Sequence, residues 1–247
     1  MQFLASGFGS PDDITVAPNG DIFFGDFANS ALNVLRAGAA RPVALATGIK
    51  EPEGIVVTRD GALVVAEQGA NRLVEVDPQT GSKKVLRQLV NKTGKEGVDG
   101  LGLDPATGDI LVPDSPNGRL LRLSRGGSEL STIAGGFARP TGAAVEPGGS
   151  ILVADEFGNA VYRLSASGRH TLLARIFQPD DVVVGADGTI YANSLKGEIV
   201  SIDPATGRVR VLASGLKLPH GLAVDPTGNL VIAEAGRNRI SRLALHK

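Results

Sequence analysis

Residues 219–234 read Pro219-His220-Gly221-Leu222-Ala223-Val224-Asp225-Pro226-Thr227-Gly228-Asn229-Leu230-Val231-Ile232-Ala233-Glu234. This is a short apolar strand, a Gly-bearing turn, and a second apolar strand that ends in a carboxylate. The same pattern stands at residues 52–67, PEGIVVTRDGALVVAE. Further copies begin at Pro11, Val98, Pro140 and Pro179, so successive starts lie 41, 46, 42, 39 and 40 residues apart. A period near forty residues built from short strands marks the blades of a β-propeller. Six copies predict an all-β, six-bladed propeller over residues 1–247, read as one domain, with four antiparallel strands (A to D) per blade.

In the second copy the strands are expected near 53–57, 62–67, 71–77 and 82–89. Turns such as Pro18-Asn19-Gly20 and Pro226-Thr227-Gly228 supply the positive φ that tight hairpins need. The chain opens on Phe3-Leu4-Ala5-Ser6-Gly7, which resembles the fourth strand Val211-Leu212-Ala213-Ser214-Gly215, while the sixth copy stops after its third. Residues 2–6 are therefore expected to complete the sixth blade and close the ring by hydrogen bonds. Lys83 to Gly97 also carries a helix-like apolar spacing; its place in the repeat predicts strand D and then a longer loop, Asn91 to Gly97, on the face where the A strands begin.

The bulk numbers exclude several function classes. A net charge of −1 with 21% charged residues argues against nucleic-acid and membrane partners. The absence of Cys removes thiolate chemistry. Met1 to Gly9 is too short and polar for a signal peptide, and the cellular compartment stays open. With no Trp and two Tyr, a protein-binding hot spot is poorly supplied, and a monomer acting on a small molecule is expected.

Strands alternate in direction, so the D–A and B–C connections share one face. The A-strand openings form an inner ring at the channel mouth on that face: Asp12, Glu53, Asp99, Thr141, Asp180 and His220. The B-strand ends form an outer ring: Asp26, Glu67, Asp114, Asp155, Asn193 and Glu234. Two carboxylates about 5 Å apart repel by roughly 3 kcal/mol at an effective dielectric near 20. Such a ring calls for a cation, protons or separation, and oxygen-only clusters suit Ca²⁺ or Mg²⁺. Outer-ring acids have a simpler use as acceptors for loop N–H groups. His220 is suited to acid–base work near neutral pH. His170 and His246 are expected to be incidental. Arg72, Arg119, Arg122, Arg163 and Arg242 are expected to be solvated edge charges.

The P-x-G opening, D-x-x-G turn, V-A-D/E ending and N-x-V-x-R-L continuation of residues 140–164 and 219–243 resemble NHL-repeat propellers. That superfamily includes ligand-binding NHL domains, the gluconolactonase/senescence-marker family and streptogramin-B-lyase-like enzymes. The gluconolactonase resemblance implies a metal at Glu53, Asp99 and Asp180, although no inner-ring position here is Asn. The lyase resemblance implies a base and metal-ligand pair at His220 and Glu234, with Leu218 where that family has a second Glu.

The expectation is a divalent-metal-assisted hydrolase of the lactonase or esterase type, sited at the mouth. Glu53, Asp99, Asp180 and Glu234 are the metal candidates, His220 and Asp180 the acid–base candidates, and Asp12, Thr141 and Asn193 the substrate-binding candidates. Two alternatives stand beside it: a non-catalytic NHL-type binding module and a streptogramin-B-lyase-like C–O lyase.

Overall fold

The computed structural model describes residues 1–90, 94, 96–165 and 167–245. Its strands form six four-stranded antiparallel sheets, each built from consecutive strands except the sixth. There, Gln2–Ser6 pairs with Arg239–Leu243 and joins Leu230–Glu234 and Pro219–Val224. The amino-terminal strand thus supplies the missing fourth strand, and the ring closes without an orphaned edge. Lys83–Gln88 is a strand, as the repeat predicts, because its pairing with Arg72–Val76 leaves no room for a helix. Positions 91–93 and 95 of the expected loop, and His246, lie outside the described residues.

Two A strands are shorter than expected. In the third blade strand A is only Gly102–Leu103, since Pro113 on the facing strand has no N–H to extend the ladder. In the fifth it is Val182–Val184, and the Asn193 side chain takes over the preceding donors. In the other four blades strand A carries a bulge directly after its opening Pro. A bulge inserts an extra residue and re-aims side chains, which here turns the openings toward the axis.

Each blade buries both faces against its neighbours. Phe23, Leu32, Val34, Ile55, Leu63 and Val65, for example, pack in one cluster between the first and second blades. Around the axis the A strands come very close. Gly54 donates its N–H to the Asp99 carbonyl of the next blade at 3.3 Å, and a methyl at this position would collide with the backbone of Gly100 and Leu101. Where the corresponding residue is Asp, the carboxylate bridges the gap. Asp13 accepts from Ile14 at 2.7 Å and from Ile55 of the second blade at 3.0 Å. Asp181 likewise accepts from Val182 at 2.7 Å and Leu222 of the sixth blade at 3.0 Å. Both line the mouth-side end of an axial cavity of about 550 Å³ walled by aliphatic A-strand residues of all six blades.

Gly54→Ala should destabilise the fold by about 2 kcal/mol, the cost of overpacking a backbone contact, read as a lowered urea midpoint. A second outcome concerns pH. Burial raises Asp13 to about 8, overriding its two N–H donors, with Asp12 and Asp180 adding to the rise. The native state therefore binds more protons than the unfolded chain between about pH 4 and 8. This stabilisation is full below the unfolded value and is lost as pH rises through the folded one. Urea midpoints should fall from pH 5 to 8, and Asp13→Asn should flatten that fall; an equal slope in the variant would contradict the assignment.

Candidate functional site

The outer ring fastens the fold. Asp26 accepts from Gly9 and Ser10 at 2.9 and 3.1 Å, and Asp155 accepts from Ala138 and Arg139 at 3.0 and 2.7 Å. Glu67 accepts from Lys50 at 3.0 Å. In each case a B-strand end latches the chain segment that leads into its own strand A, satisfying N–H groups that precede the strand and so have no ladder partners.

Asn193, a substrate-binding candidate, does the same for Asp180 and Asp181 at 2.9 and 2.8 Å. Its Nδ2 also donates to the Pro219 carbonyl at 2.8 Å and to that of His220. It is a positioning residue that ties the fifth blade to the sixth. Glu234, a metal candidate, is buried with Arg237 and Arg239 at 3.0 and 3.1 Å, so the structure gives its carboxylate to these arginines and not to His220. Thr141 is buried, its hydroxyl within reach of the Ala154 and Pro179 carbonyls at 3.4 and 3.3 Å.

The expectation of solvated edge arginines is corrected. Arg72 pairs with Glu67 and Arg119 with Asp114, each at 2.5 Å. Arg122 pairs with Asp104 at 2.7 Å, Arg163 with Glu146 at 2.6 Å, and Arg242 with Asp225 at 2.8 Å. Glu67↔Arg72 and Asp114↔Arg119 are directly opposed in the B–C ladders, so strand register places a cation against a buried anion. His170 packs against Phe137 and Tyr162, ring centroids 4.8 and 5.0 Å away.

The inner ring is different. Among the described residues, Asp12, Asp180 and His220 offer ligand atoms that all lie within 4.8 Å of one another. They come from the first, fifth and sixth blades, which are neighbours in the closed ring. His220 Nδ1 stands 3.6 Å from Asp12 Oδ2 and 3.4 Å from Asp180 Oδ2. Burial would lower His220, but Asp12 and Asp180 outweigh it and push the imidazole up to about 10. Burial raises Asp12, which His220 and a hydrogen bond with Glu53 partly offset. Burial and the charges of Asp12 and Asp99 raise Glu53 well above its ordinary value, which favours its protonated form beside Asp12. Gln68 donates to the other side of Glu53 at 3.0 Å.

Across the mouth Arg139 serves Asp99 at 2.6 Å, Glu96 at 3.3 Å and Glu156, and its guanidinium lies 5.4 Å from the Phe157 ring centre. Burial raises Asp99 despite this partner. The sequence reading missed Arg139, Glu156 and Gln68. A signal existed: Arg139 fills the slot before the opening Pro, where the other copies have Ser10, Glu51, Gly97, Gln178 and Leu218. Glu156 and Gln68 fill the slot after the B-strand end.

The six openings therefore divide by their partners. Asp12, Asp180 and His220 could hold a cation, whereas Glu53 and Asp99, expected as metal ligands, are engaged by Gln68 and Arg139, and Thr141 is turned to backbone carbonyls. The mouth gathers the carboxyl groups of Asp12, Glu53, Asp99, Asp180 and Glu156 around two basic side chains, His220 and Arg139. An acid-rich pocket with an imidazole among the donors fits a divalent ion.

The chain can now be set beside known proteins. The NHL repeat profile matches residues 216–243, and the profile of the strictosidine synthase-like N-terminal region matches residues 163–202. No curated protein sequence matches the chain. A gluconolactonase from Xanthomonas campestris superposes with a TM-score of 0.83 at 18% identity, covering 99% of this chain and 89% of that one. The calcium-binding protein regucalcin from Agrobacterium tumefaciens gives 0.79 at 13% identity, covering 99% and 96%. Virginiamycin B lyase from Staphylococcus aureus gives 0.72 at 18% identity, covering 99% and 84%.

Arg119→Met should leave Asp114 buried with Asn117 as its remaining side-chain partner and lower stability by about 2 kcal/mol in urea unfolding. The bulged strand openings, the latched crossovers and the closure by residues 2–6 mark the chain as a six-bladed β-propeller, one of whose repeats matches the NHL profile and whose fold is similar to the gluconolactonase and virginiamycin B lyase structures.

Proposed function

We propose that the channel mouth binds a divalent cation through Asp12, Asp180 and His220 and hydrolyses a small ester or lactone. The observation that carries this reading is the convergence of those three ligand atoms within 4.8 Å in a mouth lined by further carboxyl groups. The imidazole nitrogen in the donor set favours Mn²⁺ or Zn²⁺ over the Ca²⁺ or Mg²⁺ expected from oxygens alone. When bound, such an ion polarises a carbonyl and acidifies a water.

The chain's own residues supply the rest. Asn193 fixes the backbone at Asp180, Asp181 and His220, so the ligand atoms are held by a shell of hydrogen bonds. In hydrolysis a water oxygen bonds to the carbonyl carbon, the ester C–O bond breaks, and a proton must reach the departing alkoxide. Glu53 holds such a proton at the edge of the triad, and Gln68 orients its carboxyl group. The proton lost by the water returns to the carboxylate cluster.

Support also comes from the shared fold of a gluconolactonase. The lyase alternative draws on His220 with Glu234, and Glu234 faces Arg237 and Arg239 instead.

Calorimetric titration with Mn²⁺, Zn²⁺, Ca²⁺ and Mg²⁺ tests the site. Binding tighter than about 100 µM to the first two is expected, with Asp180→Asn weakening it at least tenfold. His220 must shed a proton to ligate, so affinity should rise from pH 6 to 8 with proton release. Glu53→Gln should retain the metal and lower kcat on lactones by about a hundredfold. No metal binding at millimolar concentration would end this reading.

A further inference from the structure

Several exposed apolar side chains stand on mouth-side connections. Phe157 is 61% exposed, Phe177 53% and Leu218 49%, and each sits on a D–A or B–C connection. Phe157 and Phe177 belong to one neighbourhood: Asn159 donates to the Phe157 carbonyl at 3.4 Å, while Ile176 and Gln178 donate to Asn159. Phe157 also walls a pocket of about 310 Å³ together with Pro116, Ala138, Arg139, Ser115 and Glu96. That volume is at the lower end of small-molecule sites.

Arg139 joins the pocket to the inner ring: it lines the pocket and reaches Asp99 at 2.6 Å. Most of the pocket's polar groups are already engaged. Ser115 Oγ donates to the Pro140 carbonyl at 2.6 Å, and both terminal nitrogens of Arg139 serve Asp99, Glu96 and Glu156. A polyhydroxylated ligand would find the exposed Glu96 carboxylate at the rim but few partners for the hydroxyls it buries against Phe157, Pro116 and Ala138. An alkyl or aryl group would cover the Phe157 face, Pro116 and Ala138 and lose nothing.

The geometry points to an arm-binding subsite: the pocket of Phe157, Pro116 and Ala138 takes an apolar alkyl or aryl arm of the substrate, making the substrate an apolar lactone or ester and not a sugar lactone. This rests on the proposed hydrolytic site for its reaction but not for its binding.

γ-Phenyl-γ-butyrolactone, unsubstituted γ-butyrolactone and glucono-δ-lactone separate the two claims. Wild-type protein loaded with Mn²⁺ should prefer the phenyl lactone over the other two by at least tenfold in kcat/KM. Phe157→Ala should remove most of that preference through a raised KM for the phenyl lactone, while Mn²⁺ affinity, set by Asp12, Asp180 and His220, is retained. Saturation-transfer NMR should show transfer to the phenyl protons in the wild type and its loss in the variant, whether or not turnover occurs. Transfer that depends on Phe157 without turnover would sustain the subsite and sink the hydrolase. Absent transfer, transfer unaffected by Phe157→Ala, or a preference for glucono-δ-lactone would overturn the subsite.

Discussion

A carboxylate taken out of water must find a donor, a proton or a cation, and this protein places acids at the inner ends of most of its central strands. Each is resolved differently. Asp26 and Asp155 take backbone N–H groups from the crossover segments, and Glu67, Asp114 and Glu234 take arginines from the facing strand or bend. Asp13 and Asp181 take N–H groups from the next blade. These contacts hold the blades in register around the axis, so satisfying buried charge and closing the ring are one structural solution.

The inner ring is where this solution stays incomplete. Glu53 is pushed toward its protonated form, Asp99 is served by Arg139, and Asp12 and Asp180 share one imidazole. Crowded carboxyl groups with raised proton affinity are costly for the fold, and such cost is commonly retained where chemistry needs it. The same crowding that weakens the bare protein is what would draw a divalent ion. Arg139 divides the mouth into an anionic half at the first, fifth and sixth blades and a half with a guanidinium and an exposed aromatic ring beside it.

Much of this was legible in the residues. The copies of 52–67 and 219–234 announce the blades, and the orphan strand 2–6 announces the closure, because the repeat is local and its apolar runs must bury both faces. The inner and outer rings follow from strand direction alone. The partners of the charges were harder to see. Arg72 and Arg119 look like surface residues until the ladder sets them opposite Glu67 and Asp114. Arg139 and Glu156 lie 17 residues apart in the chain and meet only because the bulged strand A folds back beside the end of strand B.

The sequence by itself determined the blade count and the order of strands, since these depend on periodicity and on the alternation of strand direction. Only the tertiary structure decided which side chains at the mouth come together. The first and sixth blades are far apart in the chain and adjacent in the ring, so Asp12 meets His220 and Asp180 through closure, a relation that no local pattern encodes. It likewise decided which acids are already neutralised, because that depends on donors brought from neighbouring blades across a few ångströms.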